Sequence, residues 1–172
     1  DTWPSHYLDF SLDIRKLNKN IFTLLDLVDL RTCNIEIAAF LTLLLLIKVN
    51  ITIVGEVNSG KTTLLNSLDL MIPKSFRKIY VENTIETLEI PPKYAHQLKY
   101  RTNNVERIDN AKEIYKLLHR SGDFIILGEI LNRKETKAFF HCLSAGLKGL
   151  QTTHCSTIES LINRWLIHFE IK

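Results

Sequence analysis

The stretch 51-ITIVGEVNSGKTT-63 decides how the rest of the chain is read. Four β-branched residues run into a loop that matches G-x-x-x-x-G-K-[ST] in full. Leu64, Leu65, Leu68 and Met71 then return at helical spacing, and Pro73 ends the helix. A strand, a glycine loop and a helix in that order form a cradle for phosphate groups. Gly55 and Gly60 allow a tight turn and a close backbone approach. The backbone N–H groups of Glu56, Val57, Asn58, Ser59, Gly60, Lys61 and Thr62, followed by Thr63, are expected to hold the anion at the helix N-terminus. Lys61 reaches the β- and γ-phosphates, and the Thr62 hydroxyl binds Mg²⁺. The bland alternative, a glycine turn that only caps a helix, is disfavoured by the strand before it and the helix after it.

Such a loop works with a carboxylate on a neighbouring strand that holds the magnesium shell or activates water. In 123-DFIILGEI-130, four apolar residues and a glycine lead to Glu129, and no other apolar strand downstream ends on an acid. An unpaired carboxylate in dry core is costly. Facing Mg²⁺–ATP gives Glu129 a partner, so Thr62 and Glu129 are the expected metal-site residues.

The bulk numbers narrow the class. A chain of 172 residues, 45% hydrophobic and 24% charged, is one globular domain with room for a core. Its net charge of +3 is too small to argue for nucleic acid as a partner. The longest apolar run, 37-IAAFLTLLLLI-47, is shorter than a bilayer span and reads as a buried core helix. Asp1, Asp9 and Asp13 interrupt any signal-peptide pattern, and the missing initiator methionine suits a fragment of a longer polypeptide. Cys33, Cys142 and Cys155 lack C-x-x-C spacing, which suggests free thiols in the cytosol. No histidine pairs with a cysteine at zinc-finger spacing.

Along the chain, 10-FSLDIRKL-17 alternates in period two as a strand, and helical patterns follow at 22–30 and 35–47. After the phosphate-loop helix come a strand at 77–83, a double proline at 91–92 and a polar loop at 101–111. An amphipathic helix at 111–120 leads to the DFIILGE strand. A helix at 134–146 closed by Gly146, a strand at 150–156 and a helix at 157–169 complete the pattern. Strands alternating with short helices predict an α/β fold with a mostly parallel sheet flanked by helices.

These motifs together resemble the secretion ATPase superfamily, the motors of type II and type IV secretion, type IV pili and the archaellum. KIYVENTIETLEIP is similar to the family's acidic box, HRSGDFIILGEI to its Walker B strand and AGLKGLQTTHCS to its His box. FSLDIRKL is similar to the strand that enters the motor domain, so residues 1–17 are expected as the end of an N-terminal domain and 18–172 as the motor domain, truncated at its C-terminal end. The resemblance implies a RecA-like P-loop NTPase core using ATP and Mg²⁺. It makes Glu86 the general base, with Glu82 in the same box, and makes His154 the sensor of the γ-phosphate. Arg101, Arg107 and Arg120 are the candidate arginines toward the phosphates of the same or a neighbouring subunit, and Arg15 matches the arginine at the domain junction.

The resemblance further implies a hexameric ring, an inner-membrane platform protein as partner, and a cytoplasmic location peripheral to the membrane, with no direct nucleic acid. The chain departs from the family pattern at Asn83, where an aspartate is usual, at Leu131, where an arginine follows, and at Leu147, in place of the first histidine of the His box. Two further functions are therefore weighed. One is a degenerate nucleotide-binding subunit with a regulatory or assembly role. The other is a DNA-translocating ATPase, which the weak net charge disfavours.

Overall fold

The computed structural model describes residues 22–82, 97–101, 110–130 and 132–168. Two short helices come first, α1 (Leu24–Asp29) and α2 (Ile35–Leu46), and lead into β1 (Ile51–Gly55) and α3 (Lys61–Met71). Strands β2 (Lys78–Glu82) and β3 (Gln97–Arg101) follow, then α4 (Asn110–Lys116), which tightens into a 3-10 turn over Leu117–Arg120. The order closes with β4 (Phe124–Leu127), α5 (Arg133–Ser144), β5 (Lys148–His154) and α6 (Ile158–Asn163), which runs on as a π-helical turn over Arg164–His168.

The five strands form one sheet in the order β1-β5-β4-β2-β3, and every pair is parallel. Parallel sheets need cover on both faces, and the apolar pattern supplies it. Phe124 and Ile126 of β4 face the side carrying α1, α2 and α3, where they meet Leu45, Leu65, Leu68 and Leu150. Ile125 and Leu127 face the other side and meet Ile114, Phe139 and Cys142 of α4 and α5. All four β4 residues are buried, as a continuous apolar run in a central strand requires. Gly149 admits α5 close to β5, since a Cβ there would lie 2.3 Å from Phe139 Cζ. This packing matches the expected helix–sheet–helix layering.

Some expectations are corrected. The apolar run around α2 is not a buried core helix: Ala38 and Leu45 are buried, whereas Phe40, Leu43, Leu46 and Ile47 are each at least half exposed. Hydrophobicity all round a helix shows that it is able to be buried, and here the core reaches only one side. The strand Gln97–Arg101 was not expected. Leu98 and Tyr100 give only a weak period-two signal, and pairing with β2 makes the strand. Glu129 lies two residues beyond the end of β4, and β5 begins at Lys148, before the expected residue 150. The strand expected at 10–17, Arg15 within it and the proposed linker 1–17 lie outside the described residues. Among the described residues, no helix is long and apolar enough to cross a membrane.

Candidate functional site

In a parallel sheet the strand ends that follow the carboxyl direction lie along one edge, where ligands bind. Here that edge collects Gly55, Glu82, Arg101 and His154, with Glu129 just past the end of β4. A cleft of about 440 Å³ opens there, lined by residues 57–63 together with Glu129, Thr152 and His154.

The phosphate loop takes the shape its glycines predict. Gly60 sits in the left-handed region at φ +87°, and Asn58 joins it at φ +60°. At Gly55, an added Cβ would lie 2.5 Å from Ser59 Oγ, so the loop folds tightly over the end of β1. Of the helices whose N-caps are described, α1, α2, α5 and α6 are closed by the side chains of Thr23, Asn34, Asn132 and Thr157. The long helix α3 instead starts on Gly60 with no side-chain cap. Its first N–H groups thus have no side chain answering them at the cap, as an anion site requires. Lys61 is buried, and its ammonium donates to the Glu56 carbonyl of its own loop.

Glu129 and His154 meet across this cleft. His154 Nε2 lies 2.9 Å from Glu129 Oε1, and both side chains are about one-third exposed, at 38% and 31%. His154 Nδ1 is buried with no hydrogen-bond partner among the described residues. The 2.9 Å contact has the Nε2–H donating to the carboxylate, with Nδ1 left toward the protein interior. Thr152 lines the same cleft and donates its hydroxyl to the Gly128 carbonyl, tying β5 to the residue before Glu129.

This donor set suits magnesium. The Thr62 hydroxyl and the Glu129 carboxylate are hard oxygens on one cleft. Mg²⁺ is held in this sparse way, keeping its waters and taking phosphate oxygens.

The structure brings Glu129, His154 and the loop residues Val57, Asn58, Ser59, Gly60, Lys61, Thr62 and Thr63 to one place. Gly55 and Glu56 carry the loop into it from β1. Arg120 is not brought there: it precedes β4, at the opposite end of that strand from Glu129, and is exposed. The backbones of Glu82 and Arg101 pair at the ends of β2 and β3 on the site edge. Glu86, Arg107, Asn83 and Leu131 lie outside the described residues. Leu147 is buried against α4 and α5 at the far end of β5 from His154, so a leucine there serves the core rather than the cleft. Sequence reasoning missed Thr152 and Arg164, whose Nη1 donates to the His154 carbonyl at 2.8 Å. The threonine pair inside a buried strand was the available signal for the first; no motif pointed to the second.

Comparison with known proteins adds an independent finding. A family model described as Type II/IV secretion system protein matches residues 1–168. Two uncharacterized proteins of Methanocaldococcus jannaschii are 30% and 32% identical over 81% of the chain, which covers 52% and 20% of their lengths. The chain thus spans about half or less of the curated relatives it matches. Its fold is shared with the VirB11 ATPase of the Brucella suis type IV secretion system (22% identity, TM-score 0.65, covering 82% of this chain and 39% of that one). It is also shared with the pilus retraction motor PilT with bound ADP (20% identity, TM-score 0.67, covering 87% and 42%).

Proposed function

Because the chain belongs to the type II/IV secretion system protein family, we propose that it is the nucleotide-binding part of a secretion or pilus motor that hydrolyses Mg²⁺–ATP. One observation carries this reading: an uncapped helix start, a lysine, a hydroxyl, a carboxylate and a histidine converge on one cleft of suitable size. Lys61 and the first amides of α3 bind and orient the phosphates. Bound Mg²⁺ neutralises charge on the phosphate oxygens. Thr62 and Glu129 hold the metal and its waters. His154, already paired with Glu129, responds to whether the terminal phosphate is present, and Glu86 orients the attacking water. Arg101 and Arg107 are the candidates toward the phosphates of this cleft, and exposed Arg120 is a candidate toward those of a neighbouring subunit. In the full protein this unit works as a hexameric ring at the cytoplasmic side of a membrane, docked on an inner-membrane platform protein, and moves by rigid-body domain rotation.

The test is ATP turnover by the purified chain and by the chain extended to the length of its relatives. Lys61→Ala and Glu129→Gln are each expected to abolish turnover, and full activity in either variant sinks the mechanism. The departures at Asn83 and Leu131 support a second reading, a degenerate subunit that assembles with an active copy. ATP binding without turnover in both lengths selects that one.

A further inference from the structure

We infer that Arg164 is a positioning residue for His154. The inference rests on the reading of His154 as part of the nucleotide site, but the contact itself is local geometry. In β5, Thr152 O accepts from Ile130 N at 3.4 Å, so this carbonyl points to the β4 side. Carbonyls two residues apart along a strand point the same way, so His154 O points to that side too. β4 has ended at Leu127, three residues before Ile130, and the β4–β5 pairing stops at Leu127 and Gln151. Arg164 Nη1 fills this gap and donates to His154 O at 2.8 Å. It acts as the next rung of a ladder that β4 no longer supplies.

The arginine comes from an anchored element. α6 opens with a reciprocal capping box between Thr157 and Ser160, and Leu161 is buried beneath it. Beside Arg164, the Trp165 ring packs edge-on against Phe140 of α5, with centroids 5.1 Å apart. The guanidinium is half-buried and spans ten residues back to the strand end. His154 is thus held at two points: its ring by Glu129, and its backbone by Arg164. Without the second, the backbone of the last residue of β5 keeps, among the described residues, the Gly55–His154 pairing with β1. The ring would then lose its fixed approach to Glu129. A hydrogen bond from a charged donor is strong enough to matter here.

The test compares Arg164→Met and Arg164→Lys with the parent chain. The first readout needs no nucleotide: the His154 ring Nε2–H resonance by NMR, with its solvent-exchange rate. Arg164→Met is expected to speed that exchange about tenfold or more, and Arg164→Lys, which keeps a donor, to restore most of the protection. The second readout is kinetic. Arg164→Met should lower turnover about tenfold with nucleotide affinity within about twofold, and should add nothing in a His154→Ala background. An unchanged ring resonance in Arg164→Met, or an equal loss with and without His154, overturns the proposal. Should Arg164→Met fail to fold, Arg164→Ala with the same NMR readout decides in its place. Absence of turnover in both the parent chain and the chain extended to the length of its relatives refutes the hydrolysis reading instead, and the ring resonance still decides the role of Arg164.

Discussion

Glu129 Oε1 and His154 Nε2 stand 2.9 Å apart, although they follow two different strands and are separated by the whole of α5. The contact joins the two polar groups that close β4 and β5 over the phosphate loop. Replacing His154 by alanine removes a donor from Glu129 but leaves the loop, Lys61 and Thr62 intact. Turnover is expected to fall roughly 10²-fold while ATP affinity changes little. Fluorescent-nucleotide titration beside a phosphate-release assay separates the two quantities.

A buried network fixes α3 to the sheet. Lys78 Nζ lies 2.7 Å from Asp69 Oδ1, and the Tyr80 hydroxyl donates to the same carboxylate, with Asp69 and Tyr80 essentially inaccessible. Removing one partner strands a charge in low dielectric. Lys78→Met is therefore expected to cost about 3–5 kcal/mol of stability. Tyr80→Phe, which leaves the ion pair in place, is expected to cost only about 1–3 kcal/mol. Urea denaturation with unchanged m-values checks both.

Asp123 gives the fold a defined acid response. Burial pushes its carboxyl up, but hydrogen bonds from Lys48 and the Arg77 N–H, with the Lys48 charge, outweigh this and hold its pKa below the ordinary carboxylate value. A depressed folded pKa contributes stability that is full above the unfolded value, about 3.9, and is lost as pH falls through the folded one. Lys48→Met is expected to flatten the rise of stability with pH over the acidic limb, below about pH 5. Thermal melts at a series of pH values between 2 and 6 measure the slope.

The outer side of α2 gives a contrast within one helix. Phe40, Leu43 and Ile47, spaced three and four residues apart, form an exposed apolar stripe, whereas Leu45 is fully buried. Leu43→Gln is expected to change stability by no more than about 0.5 kcal/mol and to reduce binding of a hydrophobic dye. Leu45→Ala is expected to cost about 2–5 kcal/mol.

The parts legible in the sequence are those where each position has one chemical task. In GEVNSGKTT the glycines, the lysine and the hydroxyl could hardly be exchanged, and the structure puts the loop where that reading expects it. The carboxylate of DFIILGE was legible because an acid after an apolar run needs a partner. Other features depend on neighbours that the sequence does not show. Residues 35–47 read as apolar all round, but which side meets the core depends on where α1 and α3 lie. Arg164 looked like any helix arginine, because its acceptor is a backbone carbonyl, and carbonyls carry no residue signature. The strand Gln97–Arg101 owes its form to the β2 backbone beside it.

One consequence follows from the strand order. Among the described residues β1 pairs with β5 alone, and Ile51 finds Leu150 across nearly a hundred residues of chain. A growing polypeptide exposes GEVNSGKTT long before it exposes LQTTH, and distant strand pairings form slowly. Until residues 148–154 arrive, the phosphate motif lacks the strand that β1 pairs with among the described residues, and Glu129 waits in the cleft without His154. A chain halted during synthesis before residue 148 would carry the whole motif but neither Thr152 nor His154 to line the cleft beside it. Ligand affinity therefore reports that β5 has joined the sheet, and the cleft has its full lining only after residues 148–154 have been made.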